Sequence, residues 1–242
     1  MKALFELILF QPIFNAFVGL YNIIPDVGFV IITITLIIKL VLYPLTSKSL
    51  KAQKSLADLQ PKLQDIKETH KGDQQTIAQE TMKLYKNHKV NPFGSCLPLV
   101  VQIPILLALY WVLRAGLTHA DFTFLYSFVK NPGTINTLAF GFLELSRVNI
   151  VLAALAGGAQ FFQAKLMYQK RAPKEAGEGA KDENMMAMMN KQMLYFMPFF
   201  TFLIGLSLPA GLTLYWFIST AVTALQQLFL FKEKKVFDVI ES

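Results

Sequence analysis

Long apolar stretches alternate with charged stretches along the chain, and this alternation predicts an all-α membrane protein. A helix needs roughly 20 mainly apolar residues, within a range of about 17–25, to cross the hydrocarbon core of a bilayer. Five stretches meet this requirement and predict a five-transmembrane-helix bundle. The predicted spans cover residues 27–46, 95–114, 148–168, 192–208 and 210–231.

The segments between the predicted spans have different patterns. Residues 3–25 repeat apolar side chains at helical spacing, 47–91 carry many charges over a heptad, and 115–147 carry few charges. Residues 169–191 form a polar loop whose centre lacks apolar anchors, so we expect it to be partly disordered. Residues 232–242 form a short tail of mixed charge.

The N-terminal segment is predicted to be an amphipathic helix that lies in the outer membrane interface. Phe10, Phe14 and Phe17 recur at helical spacing, and Gln11-Pro12 interrupts the apolar run. Polar or small residues lie on the opposite face: Asn15, Gly19 and Asn22. An uncleaved membrane span and a cleaved signal peptide remain alternatives.

The first predicted span carries one charged residue, Lys39, near its middle. A charge at this depth costs about 2.5–3.5 kcal/mol on insertion scales. On a helix, Thr35, Tyr43 and Thr46 share the face of Lys39, and the other faces carry Ile, Leu and Val. The pattern predicts that Lys39 faces a wet cavity. The alternative is a lysine whose long side chain reaches the headgroups.

Polar side chains also follow one face of the second and fifth predicted spans. Ser95 and Gln102 share a face in the second span, where Gln102 either lines a cavity or forms a hydrogen bond between helices. The stripe on the fifth span consists of Thr213, Trp216, Thr220, Thr223 and Gln227, with Tyr215, Ser219 and Gln226 beside it. If the three spans converge, they enclose a polar, cationic recess within the membrane. Spacing alone leaves open a transporter site, a channel lining and a groove that receives polypeptide.

The charged block 47–91 is predicted to be an antiparallel helical hairpin. Lys71-Gly72-Asp73 supplies the turn, and Pro61 should kink or restart the first arm. The first arm has an apolar seam formed by Leu45, Ser49, Ala52, Leu56, Leu59, Leu63 and Ile66. The second arm repeats it with Ile77, Thr81, Leu84 and His88. Because the seam is short and partly polar, we expect the hairpin to move relative to the membrane part.

Composition and charge support a polytopic membrane protein and predict its orientation. Of the 242 residues, 54% are hydrophobic and only 16% are charged, whereas soluble domains average about 25% charged residues. Lysine and arginine concentrate in the hairpin, in the 169–191 loop and its flanks, and in the tail. Because basic segments stay in the cytoplasm, the N-terminus is predicted outside and the C-terminus inside.

The candidate chemistry argues against an enzyme. Cys96 is the only cysteine, which excludes an internal disulfide and a cysteine-based metal cluster. The histidines lack metal-ligand spacing, and no phosphate-binding loop, nucleophile triad or paired-carboxylate site stands out. We therefore expect no catalytic residue, no cofactor and no metal.

Several separated motifs resemble the YidC/Oxa/Alb family of membrane insertases. They are Asn91-Pro-Phe-Gly-Ser-Cys-Leu-Pro-Leu-Val-Val-Gln-Ile-Pro-Ile105, Met197-Pro198, Leu208-Pro-Ala-Gly-Leu-Thr-Leu-Tyr-Trp216 and Gln226-Gln227. Tyr43-Pro44-Leu45-Thr46 after the cation, and Gln60-Pro61-Lys62 in the hairpin, match in order and spacing. The resemblance covers nearly the whole chain, from residue 10 to residue 231.

The resemblance implies a protein that inserts other proteins into a membrane without nucleotide hydrolysis. Its groove would open to the cytoplasm and to lipid but be closed outside. Lys39 matches the position of the family's cation, where many bacterial members have Arg. A lysine keeps the attraction for a carboxylate but loses the bidentate geometry of a guanidinium. The hairpin would help to recruit substrate through Gln60, Pro61, Lys62, Lys71, Gly72 and Asp73.

The resemblance also implies partners and a location. The partners would be nascent membrane proteins with short hydrophilic tails and the lipid bilayer. The Sec translocon and the ribosome are further candidates, and DNA is not expected. Because no transit peptide rich in Arg and Ser precedes the core, a bacterial plasma (inner) membrane is favoured. The alternative class is a small polytopic transporter or channel that uses Lys39 in a polar cavity.

Overall fold

The computed structural model describes residues 2–91, 97–119, 121–167 and 194–240. Within these ranges the protein consists of helices and one two-stranded antiparallel hairpin, β1 (Leu138–Ala139) with β2 (Leu143–Glu144). The predicted all-α membrane fold is therefore confirmed. In the described part, the helices long and apolar enough to cross a membrane are Glu6–Ile23, Val100–Leu117, Ile150–Met167 and Ala210–Phe231.

The N-terminal segment is one continuous helical stretch. It consists of α1 (Lys2–Phe5), a π-helical segment (Glu6–Phe10) and α2 (Gln11–Ile23). Its aromatic face is buried, because Phe14 and Phe17 are fully enclosed by the rest of the bundle. The segment has the length and hydropathy of a membrane span, and the interfacial helix stays a prediction.

The first predicted span is interrupted by a bend. Helix α3 (Val27–Val41) ends before Leu42, and α4 (Tyr43–Asp58) begins at an angle of 69° to it. Pro44 lies in the first turn of α4, where a missing backbone N–H is tolerated. Only the two helices together have the length of a span, so the span over 27–46 stays a prediction.

The polar block after the bend forms three helices, because the first predicted arm restarts at Gln60, next to Pro61. The rest of α4 is followed by α5 (Gln60–Thr69), and α6 (Gln74–Asn87) returns antiparallel after a turn at Gly72. Gly72 has a φ of +92°, a conformation that glycine adopts without strain. The packing is thin, because none of the residues of α6 is buried.

Residues 121–149 form a connection that packs on the N-terminal helix. Asn15 Nδ2 donates to the Phe124 carbonyl at 2.9 Å, and Asn15 Oδ1 accepts from the Tyr126 amide at 2.6 Å. Asn22 Nδ2 donates to the Lys130 carbonyl at 2.7 Å. The prediction that Asn15 lies opposite the buried face is wrong, because the side chain is buried and its amide satisfies backbone groups of the connection.

The start of α3 is fixed by Asp26. Its Oδ1 accepts from the amides of Gly28 at 2.8 Å and Phe29 at 3.2 Å, which caps the helix. Its Oδ2 accepts from the Phe140 amide at 2.7 Å. One carboxylate thereby ties the connection to the start of α3. A Cβ at Gly28 would lie 2.8 Å from the Ala139 Cβ and would also clash with the Phe140 ring, so a larger residue would displace the connection from the start of α3.

The remaining helices complete the bundle. Helix α7 (Leu97–Leu113) continues into a π-helical segment (Arg114–His119), followed by α8 (Ile150–Met167), α9 (Leu194–Gly205) and α10 (Ala210–Ile240). Helix α9 is too short to meet the length of a span within its described residues, whereas residues 192–208 were predicted to cross the membrane. The number of spans therefore stays a prediction.

Helix α10 is the central element of the packing. It makes its most extensive contact with α8 and also contacts α3, α4 and α7. The buried core gathers side chains from α2, α3, α7 and α10, among them Phe17, Val30, Leu109 and Tyr215. The polar residues predicted on the fifth span therefore lie on a helix that touches both sides of the α3–α4 bend.

Candidate functional site

The charged side chain of Lys39 contacts a neutral hydroxyl. Lys39 Nζ donates to Thr223 Oγ1 at 2.9 Å, and Thr223 Oγ1 in turn donates to the Ser219 carbonyl at 2.9 Å. Lys39 is partly buried between α3 and α10. Among the described residues it forms no ion pair, so its positive charge is not neutralised there by a carboxylate of the protein.

A second polar contact lies on the α4 side of the bend. Gln226, one turn after Thr223 on α10, donates from Nε2 to Ser47 Oγ at 2.8 Å and to Thr46 Oγ1 at 3.1 Å. Gln226 is buried, so its amide is largely removed from solvent. These bonds connect residues far apart in the chain and bring the start of α4 against α10.

A third polar contact joins α7 to α10. Gln102 Nε2 donates to the Tyr215 hydroxyl at 2.7 Å, and Tyr215 is fully buried. The predicted polar face of the second span therefore meets α10 through a residue that lies beside the predicted stripe. The contact links two helices, as polar side chains commonly do within membranes.

The end of the predicted stripe is Gln227. It is 1% exposed, and its Oε1 has no hydrogen-bond partner among the described residues. Thr220, on the same face of α10, is also buried. A buried amide oxygen without a partner is unfavourable by about 1–3 kcal/mol, so it is a natural acceptor for a water molecule or for a donor that enters the site.

Two predicted residues use their hydroxyls within their own part of the chain. Thr35 Oγ1 donates to the Ile31 carbonyl at 2.6 Å. Thr213 Oγ1 lies 3.3 Å from the carbonyl of Pro209 and 3.5 Å from that of Gly205. Both side chains are buried, so the polar faces of α3 and α10 are not accessible at Thr35 and Thr213.

The hairpin residues predicted to recruit substrate are exposed. Gln60, Pro61 and Lys62 are exposed at the start of α5, and Lys62 Nζ lies 3.2 Å from His88 Nε2. Lys71, Gly72 and Asp73 are exposed at the turn.

Asp73 has a structural role as the cap of α6, because its Oδ1 accepts from the amides of Gln75 and Thr76. Hydrogen bonds from the side chain and the backbone of Thr76 lower the pKa of the Asp73 carboxyl, and a weaker bond from the Gln75 amide acts in the same direction.

Comparison with known proteins decides the family. A family model described as 60Kd inner membrane protein matches residues 19–236. A membrane protein insertase YidC from Fusobacterium nucleatum subsp. nucleatum is 38% identical over 206 residues, which cover 85% of this chain and 86% of that protein. This chain belongs to the YidC family of membrane protein insertases. The resemblance predicted from the motifs is confirmed.

Other members of the YidC family are much longer than this chain. The membrane protein insertase YidC of Actinobacillus succinogenes is 34% identical over 229 residues, which cover 93% of this chain but 37% of that protein. A crystal structure described as an active YidC insertase with its first transmembrane domain resolved matches with a TM-score of 0.58 at 24% identity. The match covers 85% of this chain and 42% of the crystallised chain, and it supports the fold.

The YidC family and the apolar helices together make this chain a multi-pass protein of a bacterial inner membrane. The orientation of its termini stays a prediction. No group of three or more potential metal ligands occurs among the described residues.

Some of the predicted site residues do not take part in the three polar contacts. Tyr43 is 49% exposed and lies after the bend that separates it from Lys39. Trp216 is half-buried on α10, and Ser95 lies outside the described residues.

Ser47 and Gln226 were not predicted as site residues. The Gln226-Gln227 pair was a signal for the latter, whereas nothing in the local pattern distinguishes Ser47.

Proposed function

We propose that this chain inserts apolar segments of nascent proteins into the membrane through a hydrophilic groove between α3 and α10. The observation that carries the proposal is the contact of Lys39 with Thr223, which leaves a positive charge within the bundle beside a neutral partner. The substrates would be membrane proteins with short hydrophilic tails, and the apolar part of each substrate would pass sideways into lipid.

The attraction of an acidic tail follows from the electrostatics of Lys39. In water two opposite charges about 4 Å apart attract by about 1 kcal/mol, and at an effective dielectric constant near 20 by about 4 kcal/mol. A substrate carboxylate that leaves water therefore regains part of its lost solvation from Lys39. The neutral hydroxyl of Thr223 supports the ammonium without cancelling this attraction.

The groove would be closed on the side away from the hairpin. The first half of α3 is packed into the core through Val27, Val30 and Ile31, and Asp26 ties its start to the 121–149 connection. A closed end opposes a continuous polar path and so disfavours a channel. The polar groove shortens the dry distance that a hydrophilic tail has to cross, because only this closed end remains apolar.

Release into lipid is supported by the apolar surface beside the site. Leu36, Ile37 and Leu40 are exposed on α3 next to Lys39, and Phe199 and Phe200 are exposed on α9. Burial of the substrate's apolar helix in lipid would provide the driving force. The membrane potential adds about 2.3 kcal/mol per charge per 100 mV for negative tail residues that move outward.

The hairpin would collect substrates on the cytoplasmic side. Its basic, exposed surface includes Lys62 and Lys71, and the orientation follows from the excess of lysine in this part of the chain. We include the ribosome and the Sec translocon as further candidate partners, predicted from the family resemblance.

A reconstituted system tests the proposal. Purified protein in liposomes is offered a single-span substrate with a short acidic tail. A matched substrate has lysine in place of each acidic residue of the tail. We expect protease-protected tail only when the protein is present, and several-fold more of it for the acidic tail. Insertion equal to that of empty liposomes would contradict the proposed function, and equal insertion of the two tails would contradict the role of charge.

A further inference from the structure

We propose that Gln226 is a positioning residue that holds α4 at its angle to α3 and so sets the direction in which the hairpin leaves the groove. Its effect on insertion rests on the proposed function, whereas its effect on the bend does not. The residue belongs to α10 and lies opposite the first turn of α4.

The backbone at the bend does not fix the angle by itself. Leu42 alone separates α3 from α4, and its φ and ψ are −86° and 0°. Pro44 has no N–H, so the helical hydrogen bond from residue 44 to the carbonyl of residue 40 cannot form. The proline accounts for the kink, and with this backbone hydrogen bond missing, contacts from outside the helix can set its angle.

Gln226 supplies such contacts to three residues at the start of α4. Its Nε2 lies 2.8 Å from Ser47 Oγ, 3.1 Å from Thr46 Oγ1 and 3.4 Å from the Tyr43 carbonyl. Gln226 is 7% exposed, so water does not readily take the place of these bonds. The amide therefore binds both the backbone and the side chains immediately after the bend.

Helix α10 also holds the other side of the bend. Thr223, one turn earlier, accepts from Lys39 on α3. Farther along, Phe231 lies under Lys54 of α4, with Nζ 5.7 Å from the ring centroid. A continuous helix thus contacts the chain before, at and after the break, and Gln226 is the contact nearest to the bend on the α4 side.

A small change at this bend would be amplified at the hairpin. Helix α4 has 16 residues. At 1.5 Å per residue it is about 24 Å long, so a rotation of about 10° at Leu42 displaces its far end by about 4 Å. The exposed residues of α5 and α6 would move with that end. Loss of the Gln226 contacts should therefore widen the range of hairpin positions without removing any hairpin residue.

A distance measurement tests the structural claim. In a Cys96→Ser background, spin labels at Lys51→Cys on α4 and Leu155→Cys on α8 report the position of α4 relative to the bundle. Both native side chains are exposed. We expect Gln226→Leu to widen the distance distribution about twofold, and Ser47→Ala to widen it less. The control, Gln102→Leu, removes a different interhelical amide and should leave the distribution unchanged. An unchanged distribution in Gln226→Leu, or equal widening in the control, would overturn the proposal.

A rescue experiment separates positioning from direct contact with substrate. In the double variant Ser47→Cys/Gln226→Cys, a short bifunctional thiol reagent restores the link between α4 and α10 without the amide. We expect insertion to fall several-fold in the uncrosslinked variant and to recover after crosslinking. Insertion that stays low although the distance distribution has narrowed would contradict the positioning role. If the wild-type protein inserts nothing, the proposed function fails while the distance result still decides the structural claim.

Discussion

Two adjacent glycines on α8 allow the packing of this bundle to be tested with an internal control. A Cβ at Gly157 would lie 3.1 Å from the Pro198 carbonyl oxygen and 3.2 Å from the Phe202 Cβ, both on α9. A Cβ at Gly158 would have nothing within 4 Å. The two residues therefore lie on the same helix and are chemically identical, but only Gly157 packs closely against another helix.

The expected magnitude follows from this difference. Alanine in place of glycine favours a helix by about 0.5–1 kcal/mol at either position. At Gly157 the new methyl group meets the backbone of α9, which cannot rotate away, and overpacking of this kind costs about 1–3 kcal/mol. Because the helix term is common to both variants, Gly157→Ala should be less stable than Gly158→Ala by about 1–3 kcal/mol.

Equilibrium unfolding by a denaturing detergent in mixed micelles measures this difference, with the fluorescence of Trp111 and Trp216 as the signal. The variants Gly157→Leu and Gly158→Leu extend the test, since a larger side chain increases the clash only at Gly157. Equal unfolding free energies for the two alanine variants would refute the packing of α8 against α9 described above.

Three further predictions concern the polar contacts. Asp26→Ala removes a carboxylate that accepts three backbone N–H groups, so it should lower the free energy of unfolding by at least about 1–2 kcal/mol, and Asp26→Asn by less. Tyr215→Phe and Gln102→Leu should each destabilise the protein, and the double variant should cost about 1 kcal/mol less than their sum in a double-mutant cycle. Because the Thr76 hydroxyl lowers the pKa of Asp73, capping of α6 should be complete above the unfolded pKa of about 4 and be lost as the pH falls through the lower folded value. Amide exchange at the start of α6, corrected for intrinsic rates, should show this loss in the wild type and not in Asp73→Asn.

The sequence was informative where one helix face decides the environment of a residue. Lys39, Thr223 and Gln102 were assigned to polar faces from spacing alone, and in the structure each contacts a polar partner on another helix. An apolar run also predicts a helix reliably, because the backbone has no other way to satisfy its hydrogen bonds in lipid.

The sequence was misleading where a partner distant in the chain decides the outcome. Tyr43 was assigned to the face of Lys39 as on a continuous helix, but the chain bends by 69° between the two residues and Tyr43 is 49% exposed. The proline alone predicts a break but not its angle. Asn15 is polar and was expected to be exposed, yet the 121–149 connection offers it backbone partners. Gln226 acquires its role only because α4 passes beside α10.

The charge of Lys39 is the central claim, and one measurement tests it most directly. Insertion of a single-span substrate with a short acidic tail is compared in liposomes that contain wild type, Lys39→Arg or Lys39→Ala. The account predicts that Lys39→Arg inserts about as much as wild type and that Lys39→Ala inserts several-fold less, because only the alanine variant lacks the positive charge beside Thr223. Equal insertion by all three proteins would contradict the account and assign the activity to the neutral polar groups of the groove.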